Sequence, residues 1–246
     1  MPACAAMIEL LRWPLPVDAG NHAAFDTYLR LSLDAILALF ALANILLFFG
    51  VLARRRTSRP VHKLTLEYIP LALFMGLLIA VAVHAERMWA HQRFVGAAPD
   101  ALQVEVTGMQ FAWYFRYPGH DARFGRTSPT LVAPGEGNPL GLDAVDPASK
   151  DDIVSSELVL PAGREVDLAL ESQDVIHGFS VPALRLKQNA VPGQRAHVHF
   201  TATKPGRYAI LCTQVCGLGH FRMSSTLRVV TPEEFTAWLH AHEVQR

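Results

Sequence analysis

Arg164-Glu165-Val166-Asp167-Leu168-Ala169-Leu170 sets apolar residues at every second position, with charges between the first of them. A period of two puts Val166, Leu168 and Leu170 on one face of a β-strand and the polar residues on the other. Similar short runs fall at 102–107, 112–117, 157–160, 195–201, 206–211 and 225–230, separated by Gly and Pro turn residues. Seven or so such strands predict a sandwich or barrel over residues 97–246. The Gly/Pro/Asp-rich stretch 119–152 predicts a surface insertion. Thr231-Pro232-Glu233-Glu234 combines a capping residue, a first-turn proline and two acids, and predicts a C-terminal helix over Phe235–Val244.

Upstream of the β region the pattern changes from alternating to continuously apolar. Leu31 to Leu52 reads LSLDAILALFALANILLFFGVL, with Ser32, Asp34 and Asn44 its only strongly polar members. A second run, Tyr68 to Ala85, is apolar apart from a terminal His84 and carries Pro70 near its start, where helices tolerate it. At about 1.5 Å per residue both runs are long enough to cross a bilayer's hydrocarbon core. Residues 1–96 therefore read as an N-terminal segment and a transmembrane hairpin with spans at about 31–52 and 68–85. The link holds Arg54, Arg55, Arg56, Arg59 and Lys63, against only Arg12 and Arg30 or Arg87 and Arg93 on the outer flanks. The positive-inside rule makes this link cytoplasmic and sends residues 97–246 to the periplasmic side of a bacterial membrane. A cleaved signal peptide fits poorly, because the first apolar run starts late and is too long for an h-region. Cys4 lacks a lipoprotein-like apolar run ahead of it and reads as a bystander thiol.

Composition agrees with this division. Of 246 residues, 51% are hydrophobic and 18% charged, and 22 basic side chains balance 22 acidic ones. That is too apolar for a disordered chain and too neutral for a dedicated nucleic-acid binder. The neutrality hides a split, with residues 1–96 at +3 and residues 97–246 at −3. A mildly acidic outer domain favours a basic partner. Three cysteines are too few for a disulfide scaffold.

Two of those cysteines lie in Cys212-Thr213-Gln214-Val215-Cys216-Gly217-Leu218-Gly219-His220-Phe221-Arg222-Met223. Thiols, imidazole and thioether packed this closely point to copper. Zinc more often takes four Cys/His ligands in paired knuckles, and a single blue copper needs one thiolate. Two cysteines suggest two coppers sharing bridging sulfurs. The competing reading is a Cys212–Cys216 disulfide with His220 and Met223 merely nearby. A further ligand must come from elsewhere, and His177, read as lying on a loop just after a strand, is the candidate. His197 and His199 share a strand face at a spacing that chelates metals, but with no third partner evident they read as ordinary strand residues.

The Cys212–Met223 segment closely resembles the binuclear copper (CuA) signature of cytochrome c oxidase subunit II, and His177 matches the upstream ligand. The resemblance extends over the hairpin, the aromatic run Gly108–Tyr117 and the stretch Val181–Gly193. It implies a cupredoxin-like β domain, a membrane-anchored all-β architecture, in which Cys212 and Cys216 bridge two copper ions. His177 and His220 would each hold one copper, Met223 would complete a shell, and Gln214 would contribute its backbone carbonyl. It further implies the electron-accepting subunit of a heme-copper oxidase. Such a subunit takes electrons from a c-type cytochrome and passes them to heme in catalytic subunit I, where oxygen is reduced to water with proton pumping. Glu67 resembles a family glutamate near the cytoplasmic mouth of a proton path, and alternatively reads as a solvated acid at a helix end.

Three positions depart from the family. Gln214 and Asn189 replace a glutamate and an aspartate, and the former is linked to a magnesium site at the subunit boundary. Phe111 stands where the family has the tryptophan of electron entry, whereas Trp113 keeps the second tryptophan and reads blandly as a core residue. A CuA-bearing nitric oxide reductase and a membrane-tethered copper-delivery protein would use the same residues and stay open at this point. A quinol oxidase is disfavoured, because that branch lacks the copper ligands.

Overall fold

The computed structural model describes residues 17–20, 22–53 and 68–243. They fall into two compact units, Ala23–Gly96 and a second unit that joins the residues up to His22 to Ala97–Arg246. In the first unit, α1 (Ala23–Ala53) and α2 (Ile69–Phe94) contain apolar spans Phe25–Ala53 and Ile69–Ala90, of mean hydropathy 2.6 and 2.0. Both helices outrun the apolar runs, α1 at its start and α2 at its end, because helix continues through mixed segments such as Tyr28-Leu29-Arg30. No residue of either apolar window is buried, as on lipid-facing or partner-facing surfaces. Pro70 lies in the first turn of α2, where its missing N–H costs nothing. The basic link, Glu67 and Cys4 lie outside the described residues.

Among the described residues, the second unit holds ten strands in chain order: β1 (Leu102–Met109), β2 (Ala112–Tyr117), β3 (Ile153–Ser155), β4 (Leu158–Pro161) and β5 (Glu165–Ser172), then β6 (His177–Val181), β7 (Leu186–Ala190), β8 (Ala196–Thr201), β9 (Gly206–Cys212) and β10 (Ser224–Val230). They form two five-stranded sheets, β3-β2-β1-β5-β8 and β4-β10-β9-β6-β7. The alternation read in 164–170 is the β5 pleat: Val166, Leu168 and Leu170 are fully buried in the core with Trp113, Phe115, Phe179, Ile210 and Leu227. Burying such side chains contributes roughly 1.5–3 kcal/mol each, which is what holds the two sheets together. All seven anticipated strands are present.

The insertion is anchored to the sheet. Arg116 of β2, 3% exposed, donates to Glu105 at 3.0 Å, to Asp152 at 3.1 Å through Nε, and to the Gly125 carbonyl. Burial pushes the Asp152 carboxyl up in spite of the Arg116 guanidinium and the Gly125 N–H beside it. Both ends of the insertion are thus tied to one buried cation.

The segment before α1 packs on the same unit. Ala19 is fully buried; its N–H donates to the Ala183 carbonyl and its own carbonyl accepts from Thr203 N–H, each at 2.8 Å. At the other end, α3 (Pro232–Glu243) starts at a reciprocal capping box: Glu234 accepts from Thr231 N–H at 3.0 Å and donates its own N–H to the Thr231 hydroxyl at 3.3 Å.

Candidate metal centre

Three neighbouring strands of the second sheet bring the soft ligands together. Cys212 ends β9, Met223 immediately precedes β10, and the two strands pair antiparallel with Leu211 opposite Ser224. The Cys212 N–H donates to the Met223 carbonyl at 3.1 Å, closing the loop between them. On the other side β6 pairs with β9, placing Phe179 opposite Cys212, so that the start of β6 lies at the same end of the sheet. His177 is the first residue of β6 and not, as its sequence context suggests, part of a loop. The reason is that His177–Val181 is buried along its whole length, so it has no alternation to mark it as a strand.

The donor atoms converge. The Cys212 and Cys216 sulfurs are 3.9 Å apart; from the Cys216 sulfur, His220 Nδ1 and Met223 Sδ each lie at 3.7 Å. The Gln214 carbonyl is 3.2 Å from the Cys212 sulfur. One ligand atom from each of His177, Cys212 and Cys216 lies within 4.8 Å of the others. Both cysteines are free, so the alternative disulfide is not formed. Burial and the neighbouring Cys212 push the Cys216 thiol up to about 11. A cation drawn into the site counters that effect by stabilising thiolate.

His177 is fully buried, and its two nitrogens are unequal. Nε2 lies 2.8 Å from Asp174 Oδ1, whereas Nδ1 is buried without a hydrogen-bond partner. A buried imidazole beside two thiols, with one nitrogen tied to a carboxylate and the other without a hydrogen-bond partner, is the arrangement of a metal-ligating histidine. The residues therefore fit a soft metal. Asp174 also accepts from Gln110 N–H at 2.7 Å and from Val175 N–H at 2.6 Å. Burial pushes the Asp174 carboxyl up, but these N–H groups and His177 outweigh it and hold the carboxyl below its ordinary value. Gln110 closes the frame by donating its side-chain amide to the Cys216 carbonyl at 2.6 Å. Sequence reading missed both Asp174 and Gln110. The acid three residues before His177 was the available signal.

Gly108 of β1 admits the His177 ring, since an added Cβ would stand 2.9 Å from the imidazole. Trp113 is 1% exposed and meets His177 edge-on at 5.8 Å, which makes it a wall of the site. Phe111 is 39% exposed and packs over the metal loop; a Cβ on Gly219 would fall 2.4 Å from its ring. Val215, Leu218 and Phe221 of that loop project outward, Leu218 at 97% exposure. Asn189 pairs with Gly178 across β6 and β7, and Gly178 lies against Gln214, where a Cβ would be 2.8 Å from the Gln214 nitrogen. Gln214 and Asn189 thus flank one glycine.

Residues 102–230 match the family described as "Cytochrome C oxidase subunit II, periplasmic domain". The alternative cytochrome c oxidase subunit 2 of Bradyrhizobium diazoefficiens is 38% identical over 151 residues, covering 61% of this chain and 53% of that protein. The cytochrome c oxidase subunit 2 of Thermostichus vulcanus is 39% identical over 143 residues, 58% of this chain and 34% of that protein. This chain thus spans about half the length of the first relative and about a third of the second. Among solved structures, the periplasmic domain of subunit II of cytochrome oxidase (CoxB) of Bradyrhizobium japonicum is similar, at 27% identity and a TM-score of 0.45. That match covers 61% of this chain and 99% of that one.

Proposed function

The chain belongs to the cytochrome c oxidase subunit II family, and from that premise we propose that it is the electron-accepting subunit of a respiratory heme-copper oxidase. Its β unit is the periplasmic domain of a membrane protein whose apolar helices precede it. His177, Cys212, Cys216, His220, Met223 and the Gln214 carbonyl would hold a binuclear copper centre, with both thiolates as bridges. When bound, such a centre supplies one-electron transfer between a c-type cytochrome and heme in a partner subunit. The observation that carries this reading is the convergence, within 4.8 Å of one another, of a ring nitrogen of buried His177 and the sulfurs of two free thiols.

The chain's own residues orient and shield the site. Asp174 fixes the His177 ring, and Gln110 joins that carboxylate to the Cys216 loop. Trp113 keeps water from the inner side. Phe111 is the aromatic of its run that reaches solvent against the metal loop, so the entry route runs at its edge and not through Trp113. The apolar side chains of Val215, Leu218 and Phe221 form the docking surface around it. Replacing Phe111 with Ala is expected to leave metal content and spectrum intact and to slow reduction by a c-type cytochrome about tenfold, near 1.4 kcal/mol of barrier. Stopped-flow reduction measures this, and an unchanged rate moves the entry point elsewhere.

Gln214 and Asn189 offer neutral amides where the family places carboxylates. Magnesium prefers anionic oxygen. A magnesium ion at the boundary with the catalytic subunit is therefore weak, rebuilt from other residues or absent in the assembled complex. A magnesium bound directly by the Gln214 side-chain oxygen at about 2.0–2.1 Å would refute this.

A further inference from the structure

Away from the copper ligands, the outer face of the first sheet carries a second group of imidazoles and carboxylates. His197 and His199 of β8 project on the same face as Glu165 and Asp167 of β5, with Asp167 directly opposite His199 in the register. His197 Nδ1 lies 2.9 Å from Asp167 Oδ2, and His199 Nδ1 lies 3.3 Å from Glu165 Oε1. The carboxylates are themselves placed. Asp167 is 8% exposed, and Glu165 accepts from Ala98 N–H through its other oxygen at 3.4 Å. Arg195, the residue just before β8, is taken up by Glu105 at 2.9 Å and Glu171 at 3.2 Å, leaving Glu165 and Asp167 to the histidines.

A carboxylate on Nδ1 selects the tautomer that carries its proton there and leaves the lone pair on Nε2. His199 Nε2 is buried and has no hydrogen-bond partner in the protein. Two imidazoles spaced i,i+2 on one strand face project side by side, each with a carboxylate behind it. We propose that His197 and His199 form a second metal site, which takes a divalent cation of the imidazole-preferring class, zinc or a close neighbour, with water completing its shell. The two carboxylates carry the charge that a divalent ion neutralises, and thiolate is absent, so the site is harder than the copper centre and distinct from it in chemistry.

The test uses the full chain in detergent with Cys212→Ser and Cys216→Ser, which removes the thiolates of the copper centre, dialysed to equilibrium against zinc at neutral pH. The expected result is one more bound zinc per chain than in the same background carrying His197→Gln and His199→Gln. Asp167→Asn should weaken that zinc about 10- to 100-fold, the usual effect of removing a carboxylate behind a metal-bound histidine. His197→Gln alone provides the reading if a double variant unfolds, because its side chain is 54% exposed. Equal zinc in the chain with and without these histidines overturns the proposal, as does a chain that holds no zinc. An Asp167→Asn variant with unchanged zinc affinity removes the carboxylate's part in it.

Discussion

On the proposed function, His177 shows how the neighbours of a single side chain can set it to hold a metal. One nitrogen is committed to Asp174, the other is left buried and bare, and the ring is seated where Gly108 leaves room. Replacing Asp174 with Ala frees the ring and also removes the acceptor for the Gln110 and Val175 N–H groups. Copper affinity is expected to fall about 10- to 100-fold, with a shifted visible spectrum. Competition against a chelator measures the change, and unaltered affinity would deny Asp174 its orienting part. Asp18 supplies a pH dependence far from the site. Burial pushes its carboxyl up, but hydrogen bonds from the His22 ring, His22 N–H and Gly20 N–H together hold it below the ordinary 3.8. A lowered folded value stabilises the fold fully above that ordinary value, and the contribution is lost as pH falls through the folded value. The stability difference between the parent and Asp18→Asn is therefore expected to be constant above about pH 5 and to shrink below it. Denaturant titration across that range checks the sign.

Elements built on repeated patterns were legible in the sequence, whereas elements defined only by their neighbours were not. β5 and its like declare themselves by alternation. β6 is buried on both faces, and β7 is a polar edge strand, Leu186-Lys187-Gln188-Asn189-Ala190, whose place is set by pairing with β6. For the same reason the candidate metal loop stands out by its residue types alone, while the position of His177 on a strand and the Asp174–Gln110 frame required the fold. The α3 capping box was readable because it is local, and Thr231→Ala is expected to cost about 1 kcal/mol, seen as a lower denaturation midpoint. The insertion gives a larger effect. Asp152→Ala leaves the Arg116 guanidinium buried without one of its two carboxylates, a loss of about 3–5 kcal/mol. Limited proteolysis should then cut within 119–152 well before the sheets unfold, and protection equal to the parent's would mean that the clamp is not what holds this segment.

At the scale of the whole molecule, the proposed function gives an acidic outer domain and an apolar collar around the candidate metal loop separate parts in meeting a partner. On the proposed function, the −3 charge of residues 97–246 would steer a basic donor from a distance, and Leu218, Val215 and Phe221 would supply the contact. Reduction by a basic cytochrome should slow as the Debye length shrinks from about 30 to 10 Å. A rate indifferent to salt would leave the apolar collar as the only recognition. All of this presumes a copper pair, so the most direct test is metal analysis with electron paramagnetic resonance on the purified, copper-loaded full chain. Two bridging thiolates between His177 and His220 predict two coppers per chain and one unpaired electron whose hyperfine pattern is shared by both nuclei. One copper per chain, or an electron confined to a single nucleus, would contradict the account.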